Sequence, residues 1–226
     1  MGLDLYAKSE HLLGIEAATD ALHQIYIDII KNYDVTKLLD IGCGRGLLMQ
    51  KLSSLTCKGI DLSPVMVEAA QSQGLDVTCK DVSEVDERFD IAVAVFDVLN
   101  FLEPSALDDF MRSLASILEE NGIFMADINT LHGFANVAQG VLVVQDEDLF
   151  LSVDALFESP LLHTEFTLFE RQDNGLYEKE HDSITQHFHA LSYFKKQKHL
   201  KLIEKRNISL YDKDDKTVLI FKKVSK

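Results

Sequence analysis

Asp40, Gly42, Gly44 and Gly46 stand at alternate positions in Leu38-Leu39-Asp40-Ile41-Gly42-Cys43-Gly44-Arg45-Gly46. A short apolar run leads into the acid, and apolar residues at helical spacing, Leu47 to Leu52, follow the last glycine. The pattern reads as strand, turn and helix. Glycine has no side chain, so the turn can take positive φ and a ligand can press against the backbone. The next helix aims free N–H groups and its positive dipole end at that ligand. A dinucleotide site uses G-x-G-x-x-G and seats a pyrophosphate there. Here the spacing is G-x-G-x-G, and the Asp40 carboxylate would repel a pyrophosphate. It suits a ligand that carries an ammonium group.

Further chemistry-bearing residues follow later apolar runs. Asp61 closes Gly59-Ile60-Asp61-Leu62-Ser63, where one carboxylate can accept both hydroxyls of a ribose. Capping of the following helix falls to Ser63, with Pro64 at its first position. Asp81 and Val82 follow the third run, and Phe96-Asp97-Val98-Leu99-Asn100-Phe101 follows the fourth. His132, His163, His181, His187 and His189 come later in the chain. His187 and His189 share one strand face. A metal site on that pair would need a third ligand, and none is identifiable, so no metal is expected.

The glycine segment resembles the first motif of class I S-adenosylmethionine-dependent methyltransferases, D-x-G-x-G-x-G, at every defined position. The resemblance is to the small-molecule type. It covers residues 37–128 best and extends loosely through 190–224. It implies S-adenosyl-L-methionine as cofactor and S-adenosyl-L-homocysteine as product. It places Asp40, Gly42, Cys43, Gly44 and Gly46 around the amino-acid part and Asp61 with Leu62 at the ribose. It gives Asp81 the adenine amino group, with the Val82 N–H at the ring, and Phe96 the methionine ammonium through its carbonyl. Asp97, Asn100 and Phe101 would face the methyl group or acceptor, and Tyr6 would close over the cofactor. The segment is not N/D-P-P-Y/F, the run of many DNA and protein amino-methyltransferases, which fits a small-molecule acceptor. No general base announces itself; His132, His187 and His189 are the candidates. Two other readings stay open: a cofactor-binding regulatory module without turnover, and a nicotinamide-dependent dehydrogenase.

Alternating strands and helices must position these residues. Residues 9–31 read as one amphipathic helix, with Leu12, Ile15, Ala18, Leu22, Ile25 and Ile29 on one side. Strands are expected at 37–41, 57–61, 75–79, 89–95 and 123–128. Between the last two, a helix with capping-box form runs from Ser105 to about Leu118, ended by Asn121-Gly122. The fold class is α/β: a Rossmann-like, doubly wound sheet, mostly parallel with an antiparallel last strand, plus an inserted antiparallel β lid. Residues 129–145 read as a loop or short helix. Strand-like runs at 149–157, 162–171 and 176–189 form the lid, with Asn174-Gly175 as a hairpin signal. A short helix at 190–199 and a strand pair at 200–210 and 217–224 complete the core. The expected organisation is a single domain over 1–226, with an N-terminal helical cap at 1–36, a cofactor-binding core at 37–128, the inserted block at 129–189 and the C-terminal completion at 190–226.

Composition bounds the partners. The chain has 226 residues, 46% of them hydrophobic, and a net charge of −15. Nucleic acid is excluded as a partner, because phosphate contacts demand clustered cations. A neutral or cationic small-molecule acceptor is favoured. No apolar run approaches the ~18 residues that span a bilayer, and no signal peptide is read, so a membrane is not expected. Cys43, Cys57 and Cys79, odd in number and without metal spacing, fit a cytoplasmic location. A homodimer through the inserted block stays open.

Overall fold

The computed structural model describes residues 2–224. Its main sheet has seven strands in the order β10-β11-β5-β4-β1-β2-β3. These are β1 Lys37–Ile41, β2 Thr56–Asp61, β3 Val77–Cys79, β4 Phe89–Ala94, β5 Leu118–Asn129, β10 Leu200–Ile208 and β11 Lys216–Lys223. The pairs among β1 to β5 are parallel. β11 runs antiparallel to both β5 and β10. The expected doubly wound sheet with an antiparallel last strand is therefore the observed one.

Both sheet faces are buried, with side chains alternating between them. Leu39, Ile41, Ala92, Ala94, Phe124, Ala126, Leu219 and Phe221 pack toward α5 (Pro104–Ile117). Their neighbours Leu38, Ile91, Val93, Ile123, Met125, Val218 and Ile220 pack toward α2 (Glu16–Ile30) and α3 (Leu47–Lys51). This double burial explains the unbroken apolar run of β4. The order reverses at β1, which pairs with β2 on one side and β4 on the other. A crevice beyond the carboxyl ends of those strands is where open α/β sheets bind ligands.

The second sheet is antiparallel, in the order β6-β7-β8-β9: Gly140–Gln145, Leu149–Glu158, Leu161–Arg171 and Tyr177–His187. The Asn174-Gly175 turn joins β8 to β9, with Gly175 at φ +79°. This sheet packs Leu151, Phe166 and Leu168 against Leu5 of α1 (Leu3–Ser9).

Several expectations need correction. The helix expected at 9–31 is shorter, α2 at Glu16–Ile30: Glu10–Leu12 form a short 3-10 turn, the chain turns left-handed at Gly14, φ +66°, and a separate helix, α1, precedes them. Residues 140–145 form strand β6 after a π-helical turn at Gly133–Ala138, and so add an unforeseen fourth strand to the lid. α5 starts at Pro104, one residue ahead of the Ser105 capping box, and no side chain caps it. Asn121-Gly122 does not end α5; Asn121 sits at φ +65° within β5, where the pairing to β4 slips between Phe89 and Ile91. α6 is also shorter than expected, at Leu191–Phe194.

Candidate functional site

The glycine turn is built as its spacing implies. Gly42, Gly44 and Gly46 take φ of +68°, +53° and +77°. A side chain at Gly42 would bring its Cβ within 2.8 Å of Val98, and one at Gly46 would collide with Leu75. The amides of Gly42 and Cys43 donate to the Ile60 carbonyl at 2.8 and 3.1 Å. The Gly44 amide donates to Asp61 Oδ2 at 2.9 Å, and the Ser63 amide to Asp61 Oδ1 at 2.8 Å. Asp61 thus joins the end of β2 to the turn after β1. Ser63 caps α4 (Pro64–Ser72), accepting from the Met66 amide and donating to Asp4 of α1 at 2.6 Å. Arg45, inside the turn, donates to the Ala7 carbonyl at 2.8 Å. Two residues of the cofactor-type turns therefore hold α1 across the crevice. α3 has only five residues, and the Gly42, Cys43, Gly44 and Gly46 amides are all taken by Ile60, Asp61 and Cys43, so the turn offers a ligand close approach to the backbone rather than free donors.

Asp40 lies beneath this turn, 3% exposed. Among the described residues its carboxylate has no hydrogen-bond partner, and it borders a small cavity of about 80 Å³ shared with Glu10, His23 and Gly44. Burial first, then the Asp61 carboxylate, pushes its pKa up to about 8. A buried carboxyl without a protein partner is costly, and a cationic ligand group would relieve it.

The end of β4 is strained. Phe96 and Asp97 both take positive φ, +64° and +61°, although neither is glycine. Asp127 of β5 holds them there, accepting from the Phe96 amide at 2.9 Å and the Asp97 amide at 3.2 Å. Asp127 also accepts from Tyr26 Oη at 2.9 Å. The buried Lys216 ammonium pairs with Asp97 and lies 3.5 Å from Asp127 Oδ2 and 3.0 Å from Asn129 Oδ1. Asn129 Nδ2 donates to the other Asp97 oxygen at 2.9 Å. Burial raises the Asp97 pKa to about 6, with the Lys216 ammonium opposing and Asp127 reinforcing. Burial alone would depress Lys216, but the two carboxylates outweigh it and leave its pKa above the ordinary value. Lys216 therefore stays charged, in an environment carrying two acids.

A cavity of about 600 Å³ opens beyond these elements. Gly42, Gly44, Asp61 and Leu62 border it at one end, and Tyr6, Phe96, Asp97, Phe101, Asn129 and Lys216 lie along it. The second sheet supplies the rest of its wall, through residues such as Val153, Leu162, Phe166 and Ile184. Tyr6 stands edge-on to Phe166, ring centres 6.1 Å apart. Burial raises its phenol pKa, with Glu10 and Asp97 adding to the effect. Cys43 is buried and borders the smaller cavity.

Other expected residues stand elsewhere. Asn100 does not line the cavity: fully buried, it donates to the His187 carbonyl at 2.8 Å and accepts from the Asn129 amide at 3.0 Å. It ties the segment after β4 to the second sheet. Asp81 does not line the cavity either. Its side chain accepts from the Ser83 amide and hydroxyl, and Glu84 returns a bond to its backbone, closing a capping box. The Val82 side chain is core. None of the candidate bases borders the cavity. His132 is exposed and bonds Asp212 at 2.8 Å. His189 is buried, its Nε2 within 3.0 and 3.1 Å of the Leu102 and Leu99 carbonyls, and the His187 ring stacks on it. Burial pulls the His189 pKa below its usual value. Among the described residues no three His, Cys, Asp or Glu side chains cluster as a metal site.

Asp127, Asn129, Glu10, Tyr211 and Lys216 were not anticipated. Lys216 escaped because its neighbours come from strand pairing: it stands opposite Asn129 in the β11–β5 register. Asp127 left a trace, a lone acid inside the apolar run Phe124-Met125-Ala126-Asp127-Ile128.

Residues 38–122 match the family described as a methyltransferase domain. A ubiquinone biosynthesis O-methyltransferase of Bradyrhizobium diazoefficiens is 34% identical over 106 residues, covering 42% of this chain and 40% of the relative. The namesake from Methylobacterium nodulans is 30% identical over 115 residues, covering 45% of each. The chain thus spans less than half the length of these curated relatives. Likeness of fold extends much further. An S-adenosylmethionine-dependent methyltransferase from Clostridium acetobutylicum superposes with TM-score 0.80 at 20% identity, over 98% of this chain and 100% of that one. DesVI of Streptomyces venezuelae gives 0.75 at 17% identity, over 95% and 96%. The fold, second sheet included, is thus that of known methyltransferase structures.

Proposed function

We propose that this chain is an S-adenosylmethionine-dependent methyltransferase acting on a small molecule. The observation that carries the reading is one cavity bordered by the glycine turn and Asp61 at one end and by the inserted sheet at the other. It has room for a cofactor and an acceptor side by side. The matched methyltransferase domain at 38–122 contains the turn, Asp61 and the strained Phe96-Asp97 step.

The residues fit the cofactor. Asp40 offers a buried carboxyl, without a protein partner among the described residues, whose ionised form an ammonium would favour. The glycine turn leaves the room a Cβ would fill. Asp61, already oriented by two backbone amides, has lone pairs left for ribose hydroxyls. Leu62, half exposed on the cavity wall, supplies an apolar contact. Asp81 and the Val82 amide remain the proposed adenine contacts, which requires the Asp81 side chain to share or leave its present cap. When bound, the cofactor supplies an electrophilic methyl on a sulfonium.

This chain's own residues align the acceptor and exclude water. Tyr6 and α1, latched by Arg45 and Ser63, close the cavity over the cofactor end. Asp97 is the titratable group best placed to take a proton from the acceptor nucleophile, since it lines the cavity and no histidine does. Lys216 and Asn129 fix its two oxygens. The charged cavity residues are Glu10, Asp61, Asp97 and Lys216, which supports a neutral or cationic acceptor over an anionic one. The curated relatives are named O-methyltransferases, which supports an oxygen nucleophile. Three unpaired cysteines support a reducing, cytoplasmic setting. No helix of the described residues is long and apolar enough to cross a membrane.

Titration with S-adenosylhomocysteine and, separately, with NADH tests the reading. Binding of the first alone supports it; binding of NADH alone refutes it. Turnover is then read as tritium transferred from labelled cofactor to a small-molecule panel, and saturable cofactor binding without transfer to any acceptor would favour a regulatory module.

A further inference from the structure

The inner wall of the second sheet is apolar with two exceptions. Its cavity-lining residues include Val141, Val153, Leu162, Phe166 and Ile184, and none is charged. Among them stand Thr164 of β8 and Gln186 of β9, both lining the same cavity. Thr164 is 7% exposed and Gln186 9%. They are diagonal neighbours, since Leu162 pairs with Gln186 and Thr164 with Ile184. Neither side chain finds a hydrogen-bond partner among the described residues, although side chains on the outer face of the same strands do: His163 bonds Thr185, and Thr167 bonds His181. Neither is sealed off, since no fully buried side-chain nitrogen or oxygen among the described residues lacks a partner. Their polar atoms open onto the cavity, where a ligand that displaces water must offer them partners.

We infer that Thr164 and Gln186 are the specificity pair of the acceptor site. They select an uncharged, mostly apolar small molecule that carries a hydroxyl or carbonyl away from the atom to be methylated. The inference rests on the methyltransferase reading for its assignment of this end of the cavity to the acceptor. The ligand's chemistry follows without that assignment. A primary amide and a hydroxyl each donate and accept, so the pair satisfies a neutral polar group in either sense. It offers no counter-charge, and a carboxylate or ammonium brought here would be desolvated without compensation. The apolar neighbours bury the ligand's body, and the pair fixes its direction, which discriminates strongly against analogues lacking the polar group. Asn100, through the His187 carbonyl, holds the end of β9 close to Gln186 and so fixes the pair relative to Asp97.

The test titrates the full-length protein, saturated with S-adenosylhomocysteine, with three phenols that differ only in the para tail. These are 4-ethylphenol, 4-(hydroxymethyl)phenol and 4-hydroxybenzoate. The hydroxymethyl compound is expected to bind about 10-fold more tightly than the ethyl compound, and the carboxylate to bind weakest. Gln186→Leu and Thr164→Val are each expected to cut that preference about 3-fold, and the double variant to abolish it. S-adenosylhomocysteine affinity should be unchanged in all three variants, which certifies their fold. Equal binding of the three phenols by the wild type, no binding of any, or a preference that survives in the double variant would overturn the inference. A wild type that does not bind S-adenosylhomocysteine would refute the methyltransferase reading instead, and the tail ranking, measured without it, would still decide this one.

Discussion

The Gly44 amide donates to Asp61 Oδ2 at 2.9 Å, and this bond joins the glycine turn after β1 to the end of β2. It explains why an acid and a glycine far apart in sequence form one surface. Asp61 braces the turn and also presents its remaining lone pairs to the crevice. Asp61→Ala should weaken S-adenosylhomocysteine binding roughly 10- to 100-fold, since hydrogen bonds to a charged acceptor are involved. Asp61→Asn, whose oxygen can still accept from Gly44, should lose less. Calorimetric titration of both variants checks this; equal losses would mean that the bond to Gly44 contributes nothing.

Asp40 predicts an exchange between stability and binding. Its pKa is pushed up to about 8 by burial and then by Asp61. A carboxyl raised in the folded state favours folding at low pH, below the ordinary value near 4, and that contribution is lost as pH climbs through 8. Asp40→Asn should therefore raise the melting temperature of the ligand-free protein, most clearly near pH 8. It should also weaken binding of the cofactor's ammonium by about 10-fold or more. Thermal melts at pH 5 and 8, with and without S-adenosylhomocysteine, test both halves.

Binding should also move a proton. Near pH 7 the Asp40 carboxyl is protonated in the free protein, and an incoming ammonium favours its ionised form. Calorimetry in phosphate and in Tris should show net release of protons on binding, and Asp40→Asn should remove it. Buffer-independent enthalpies would show that Asp40 does not change state.

Lys216 neutralises a site that contains two carboxylates, Asp97 and Asp127. Lys216→Met should cost about 3–5 kcal/mol of stability, the usual result of leaving buried charge unpaired. Adding Asp97→Asn should restore part of it, because one of the two acids is then gone. Denaturant unfolding of the single and double variants measures the coupling. No recovery in the double variant would argue that the lysine acts through packing alone.

The histidines should separate by position. His132→Ala should leave methyl transfer within about two-fold, since its ring faces Asp212 on the surface. His189→Ala should destabilise by about 1–2 kcal/mol, because the Leu99 and Leu102 carbonyls lose their donor. Transfer assays and melts on the two proteins check this pair of outcomes.

Local chemistry was legible in the sequence, and long-range pairing was not. The Asp40–Gly46 turn, the double-buried β4 and the Asn174-Gly175 hairpin each carry their signal within a few residues. Gly14, at positive φ, breaks the apolar pattern that begins at Leu12, so that α2 starts only at Glu16. β6 lies largely exposed at the edge of its sheet, so no alternation marked it as a strand. The Lys216–Asp97–Asp127 cluster needs β11 to return beside β5, and the Thr164–Gln186 pair needs the β8–β9 register. Neither arrangement has a spacing to read. Asn100 and Asp81 stand at the strand ends that the sequence marks, but their side chains are engaged by the protein itself, and no local spacing reveals that engagement.

The functional reading stands or falls with the glycine turn and Asp61 as the holders of S-adenosylmethionine. Calorimetric titration of the wild-type chain with S-adenosylhomocysteine, repeated on Asp61→Ala, decides it. A single saturable site is expected in the wild type, with a loss of roughly 10- to 100-fold in the variant. No heat of binding in the wild type, or identical affinities in the two proteins, would refute it.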